Sequence, residues 1–190
     1  MMKKFTRIEP TTQQSFGLQY KKVALIKRFQ TEDGKLHEFT TFYKQGDHAA
    51  AIIALTTDRK VIITYQFRAG PERWMYDIPG GGVEKGEEPQ AGALRELKEE
   101  TGYEPGHIEF LGTNSRDAYS NGVWYYYFVT DAVPVSEGRS LDEEEQDQGA
   151  EVRFISIAEF LEHAKHDRMT DPAAVLMAYD RLKEIERGSK

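Results

Sequence analysis

Glu96, Glu99 and Glu100 stand at i, i+3 and i+4, directly after Arg95. On a helix that spacing brings carboxylates together, and like charges so placed destabilise the helix by a few tenths of a kcal/mol per pair. A cation should therefore offset them. Arg95 is one candidate, and a hard divalent ion, Mg²⁺ or Mn²⁺, is the other, since such ions take oxygen ligands and bridge carboxylates to phosphates. A solvated acidic face on a surface helix is the alternative reading. The residues upstream tip the balance: Asp77, Ile78 and Pro79 lead into Gly80, Gly81 and Gly82. Consecutive glycines let a backbone come close to a ligand, although a tight strand-to-helix turn also uses them. Beside three glutamates, the run reads as a metal and phosphate loop, with Gly81 and Gly82 on the substrate side.

Two elements must position these groups. The apolar and aromatic run from Trp74 to Ile78 reads as a short strand feeding the glycines. Downstream, Pro89 is tolerated in a first helical turn, where its missing N–H is one of the unpaired ones anyway. Ala93, Leu94, Leu97 and Thr101 then recur with helical period, and Gly102 offers a left-handed stop. Leu94, Leu97 and Thr101 fall on one arc, while Glu96, Glu99 and Glu100 are expected to project from another.

The spacing of Gly81, Glu87, Arg95, Glu96, Glu99, Glu100 and Gly102 resembles the Nudix box. With each residue type at roughly 5 to 10% of an average chain, seven fixed matches arise by chance on the order of 1 in 10⁸. The resemblance implies a loop–helix–loop that binds divalent metal and hydrolyses nucleoside diphosphates linked to another moiety. It also implies that the Gly80 carbonyl joins Glu96, Glu99 and Glu100 as a metal ligand, and that Glu87 and Arg95 pair to brace loop against helix.

Outside the box, TYQFRAG (64–70), the N-terminal hairpin and MTDPAAVLMAYDRL (169–182) resemble the ADP-ribose and nucleotide-sugar pyrophosphatase branch. By that likeness Arg68 holds substrate phosphate, which a planar guanidinium suits; the alternative is an ion pair with Glu72 or Asp77. Phe29 is a candidate to stack a base, or else packs in the core or a dimer. Two departures stand out. The loop TNSRDAYSNG (113–122) lacks the proline expected there, and Gln148 lies near the place of a general-base glutamate. Glutamine accepts no proton from water, which leaves Glu145 or Asp147 to reach in, or Glu96 within the box to act. Glu143, Glu144 and Glu145 also read as a plain acidic loop.

The rest of the chain frames this site. At 190 residues with 39% hydrophobic content, it suits one well-cored domain with an appendage. There are no cysteines, which removes disulfides, zinc thiolates and thiol nucleophiles. The basic start MMKKFTRIEP is followed by no apolar core, so a cytoplasmic protein is expected. A net charge of -7 argues against a nucleic-acid backbone as partner but not against a small anion held by a local positive patch.

An Asp-Gly turn between β-rich runs predicts an N-terminal hairpin, from Lys21 to Phe29 and Leu36 to Tyr43, within an extension over 1–46. The likeness assigns that extension to homodimerisation. The hydrolase domain spans 47–190, with strands at Ala49–Leu55, Val61–Phe67, His107–Gly112, Gly122–Thr130 and Val152–Ile155. Its last two helices start at Ile157 behind Ser156 and at Pro172 behind the cap Asp171. The block Trp124–Phe128 reads as a buried strand, and the five histidines show no ligand spacing beyond one i,i+3 pair.

The expected fold is α/β, a Nudix-type α/β/α sandwich with a mixed sheet and an antiparallel β extension. The expected activity is Mg²⁺-dependent cleavage of an ADP-ribose-like substrate. Hydrolysis of nucleoside triphosphates or RNA ends, or non-catalytic sensing of a nucleotide sugar, are the alternatives.

Overall fold

The computed structural model describes residues 4–15, 23–42, 47–115, 118–140 and 149–188. It divides into two units, one of 1–47 with 115–123 and one of 48–114 with 124–190.

The larger unit is organised by β4 (His48–Thr56), whose small and branched residues alternate between two cores. Ala51, Ile53 and Leu55 enter one, with Phe160 and Leu161 of α2 (Ile157–Lys165) and Val175, Ala178 and Leu182 of α3 (Pro172–Glu186). Ala50, Ile52 and Ala54 enter the other, with Ala93 of α1 (Pro89–Glu96) and Leu97. A strand apolar on both faces demands cover on both, so helices flank the sheet as a sandwich. The aromatic block shows the same alternation: Tyr126 and Phe128 of β10 (Val123–Pro134) face α2 and α3, and Tyr127 and Val129 face α1. The expected class is borne out.

Sheet order among the described residues is β11 (Glu151–Ile155), β5 (Val61–Arg68), β4, β10, β8 (Tyr103–Glu104), with β9 (His107–Asn114) on β10. β4 and β5 pair only at Ala54↔Ile62 and Leu55↔Val61. Beyond that they part. β6 (Arg73–Asp77) takes the free edge of β5 and β7 (Gly80–Gly82) takes that of β4. The peptide between them is fixed by an Ile52 N–H donated to the Pro79 carbonyl at 2.8 Å. Thus the glycine run is a strand clamped into an opening of the sheet, not a free loop.

Helix starts follow their caps unevenly. Ser156 accepts the Glu159 N–H at 3.2 Å, as its position predicts. Asp171 does not cap α3 with its side chain; its carboxylate instead accepts the Tyr126 hydroxyl at 2.8 Å. A buried tyrosine hydroxyl needs a partner, and that need outweighs capping here. Among the described residues no helix is long and apolar enough to cross a membrane.

The smaller unit is an antiparallel sheet, β1 (Phe5–Ser15), β2 (Val23–Thr31) and β3 (Leu36–Phe42). The Asp33-Gly34 turn joins β2 to β3, with Gly34 at φ 82°. β1 was not foreseen, because its polar residues offer no apolar alternation; its strand character comes from pairing with β2.

Candidate active site

Strand β7 meets the carboxylate helix at close range. Gly80 pairs with Ala51, and a Cβ on it would lie 2.6 Å from the Ala50 carbonyl oxygen. Only glycine fits there. A Cβ on Gly81 would come within 2.5 Å of Glu96 Oε1, so this carboxylate rests on the bare backbone of the strand. Around Gly82 the space is open. The Gly80 N–H donates to Glu100 Oε2 at 3.2 Å.

The helix itself departs from the expected cylinder. Pro89 occupies its first turn as foreseen, but after Glu96 the chain widens into a π turn, Leu97–Thr101, before Gly102 ends it in the left-handed region at φ 75°. Such turns are frequent at functional sites. With the turn widened, the three glutamates do not share one exposed face. Glu100 is buried at 7% exposure, the Glu96 side chain is 14% exposed and that of Glu99 43%. Burial of Glu100 corrects the expected outward projection, and the glycine N–H supplies the partner a buried carboxylate requires.

Arg95 lies inside the acidic cluster. Its Nε donates to Glu87 Oε1 at 3.2 Å, one terminal nitrogen to Glu96 Oε1 at 2.8 Å and Glu99 Oε2 at 2.9 Å, and the other to the Gly82 carbonyl at 3.0 Å. Burial opposes its charge, yet the hydrogen bonds to Glu87, Glu99 and Glu96 hold its pKa above the ordinary guanidinium range. The Glu87 carboxyl is in turn held below its usual range by the Glu84 N–H and by Arg95. One guanidinium thus ties loop, strand and helix together.

Among the described residues no three acidic or histidine side chains already form a metal cage. The donor chemistry nevertheless fits a hard divalent ion: Glu96, Glu99, Glu100 and the Gly80 carbonyl offer oxygen alone.

Arg68, at the end of β5, pairs with Asp77, the last residue of β6. Asp77 was not singled out as a site residue. It is buried, its Oδ1 accepts the Ile78 N–H at 2.9 Å, and burial followed by the charge of Asp171 pushes its carboxyl up to about 6 against the pull of Arg68. An acid closing an otherwise apolar strand was the available signal.

Phe29 lies in the smaller unit, in a cavity of about 320 Å³ lined also by Phe5, Phe39, Tyr119, Lys27, Thr41 and Asn121. Burial, then the nearby Arg7, lowers the Lys27 pKa. Glu145, with Glu143, Glu144, Asp147 and Gln148, lies outside the described residues.

A carboxylate helix set against a glycine strand and locked by one arginine defines a class. Residues 46–176 match the model of the NUDIX domain family, and the chain belongs to it as a Nudix hydrolase. It is 33% identical over 144 residues to the ADP-ribose pyrophosphatase of Bacillus subtilis (strain 168), covering 75% of this chain and 76% of that one. It is also 32% identical over 138 residues to the methanol dehydrogenase activator of Bacillus methanolicus, covering 72% and 73%. A solved structure described as an ADP compounds hydrolase superposes with a TM-score of 0.76 at 18% identity, over 100% of this chain and 99% of that one. The likeness to the ADP-ribose pyrophosphatase branch rests on the Bacillus subtilis relative, and the solved structure shows a shared fold.

Proposed function

We propose that this enzyme hydrolyses the pyrophosphate bond of a nucleoside diphosphate linked to a sugar, an ADP-ribose-like molecule, with Mg²⁺ or Mn²⁺ as cofactor. The products are a nucleoside monophosphate and a sugar phosphate. The observation that carries this reading is the contact between β7 and the helix, where Gly80 meets Glu100 and Gly81 meets Glu96. Kinship with the Bacillus subtilis enzyme supports the substrate class.

In this reading Glu96, Glu99, Glu100 and the Gly80 carbonyl hold the metal, which when bound neutralises diphosphate charge and lowers the pKa of water. Gly81 and Gly82 present bare backbone where substrate phosphates approach. Arg95 fixes the carboxylates of Glu96 and Glu99, so that little reorganisation is needed as charge develops. Glu96 or Glu145 takes the proton of the attacking water. Arg68 holds a phosphate oxygen with the part of its side chain left exposed, 32%.

Phe29 stacks the base from an aromatic-lined cavity large enough for a flat ring. The smaller unit serves dimerisation, supported by the exposed Phe5 and Phe39 that share one face of its sheet. A reducing, cytoplasmic setting accords with a chain that contains no cysteine.

Incubation with Mg²⁺ and a panel of ADP-ribose, nucleotide sugars, dinucleoside polyphosphates, triphosphates and triphosphorylated RNA, read as phosphatase-releasable product, tests the reading. Preferred turnover of ADP-ribose or a nucleotide sugar is expected. Preference for triphosphates or RNA overturns it, and tight binding without turnover identifies a sensor.

A further inference from the structure

The junction between β6 and the glycine strand carries a buried charge that box geometry does not explain. Asp77 is 7% exposed and ends β6 three residues before Gly80. One of its oxygens accepts the Ile78 N–H at 2.9 Å, and the other accepts the Arg68 guanidinium. Thr170 also hydrogen-bonds it, and Asp171 stands near enough to repel it. Asp171 is engaged in turn by the Tyr126 hydroxyl at 2.8 Å and by Thr170 Oγ1 at 3.3 Å. Two carboxylates, one guanidinium and two hydroxyls therefore meet where β5, β6, β10 and the start of α3 converge.

Burying two like charges together disfavours folding unless something is gained. Packing alone offers no such gain, because an apolar residue would fill the space at lower cost. A second oddity points the same way: on the face of β5 that bears Arg68, the Thr64 Oγ1, Gln66 Oε1 and Arg68 Nε atoms are buried with no hydrogen-bond partner among the described residues. Among the described residues Asp77 is the one side chain that pairs with the Arg68 guanidinium.

We propose that Asp77 is a positioning residue for the hydrolysis, holding Arg68 in the orientation that meets substrate phosphate and tying that arginine to the backbone leading into Gly80. This rests on the proposed function, with Arg68 as the group through which Asp77 acts. One carboxylate with one oxygen on a side chain and one on the following N–H makes the two move as a unit. Losing the anion frees the guanidinium to sample other rotamers, which weakens substrate capture more than the chemical step.

The test compares wild type, Asp77→Asn, Asp77→Glu, Arg68→Ala and the double variant Asp77→Asn/Arg68→Ala, each assayed on ADP-ribose with saturating Mg²⁺ and melted thermally. Asp77→Asn should lower kcat/KM by about tenfold, chiefly through a higher KM, while its Tm at neutral pH stays at or above that of wild type. Asp77→Glu should recover part of the loss, and Asp77→Asn should add nothing in the Arg68→Ala background. Wild-type kcat/KM in Asp77→Asn overturns the proposal, as does an undiminished Asp77→Asn effect when Arg68 is absent. If Asp77→Asn does not fold, the Asp77→Glu kinetics decide: an unchanged KM overturns the proposal and a raised KM upholds it. If wild type turns over none of the panel, the proposed function fails and this inference falls with it, a result distinct from an active wild type with an indifferent Asp77→Asn.

Discussion

Glu99 and Glu100 sit one residue apart yet in different surroundings, so their substitutions should behave differently. The Glu99 side chain is 43% exposed and bound to Arg95, whereas Glu100 is buried against the Gly80 N–H. Glu99→Gln should reduce turnover by about 100-fold or more with an unchanged Tm. Glu100→Gln should match that loss and also lower the Tm, because the amide keeps one acceptor for the glycine N–H but turns the second buried oxygen into a donor. Near-normal rates in both variants at saturating Mg²⁺ would refute the metal assignment. Asp77 makes a prediction about pH. Its carboxyl is raised from 3.8 to about 6 in the folded protein, so the native state binds the extra proton between those values. Stability from this group is therefore present below about pH 4 and is lost as pH rises through about 6, by a few kcal/mol. The Tm of Asp77→Asn relative to wild type should rise across that interval; parallel Tm curves for the two proteins would contradict it.

At the scale of elements, the glycine strand separates three roles within three residues. Gly80→Ala forces a Cβ to 2.6 Å from the Ala50 carbonyl oxygen, and neither strand backbone can yield cheaply. That variant should lose more than about 2 kcal/mol together with its activity. Gly81→Ala meets Glu96 Oε1 at 2.5 Å, the far end of a flexible side chain. The Tm should then change little while turnover falls, since Glu96 must move. Gly82→Ala meets nothing within 4 Å and should melt like wild type. Thermal melts and initial rates on the three variants check the ordering, and equal Tm losses at all three positions would dismiss the clamp between β4 and β7.

For the whole molecule, the smaller unit leaves Phe5 and Phe39 at 48% and 38% exposure on one face of its three-stranded sheet, their rings edge to face at 6.4 Å. That face is the one on which the proposed dimer rests. Light scattering on Phe5→Asp/Phe39→Asp should report a monomer where wild type is a dimer, and a monomeric wild type ends that assignment. The net charge of -7 belongs to the same scale. It repels polyanions at long range and leaves the binding of a small diphosphate to local groups.

The box was legible because its chemistry is local: Gly81 to Gly102 lie within one strand, one helix and the segment between, so sequence spacing is already spatial spacing. β4, β5 and β10 were legible for a related reason, since strands apolar on both faces have to be covered on both. What the sequence left open was long-range. β1 depends on the partner it pairs with, the burial of Glu100 on a π turn fitted against Gly80, and the escape of Asp171 from capping on a tyrosine 45 residues away. The partner of Arg68, left open between Glu72 and Asp77, was settled only when β5 and β6 came side by side, because burial, not proximity along the chain, decides which charges must pair.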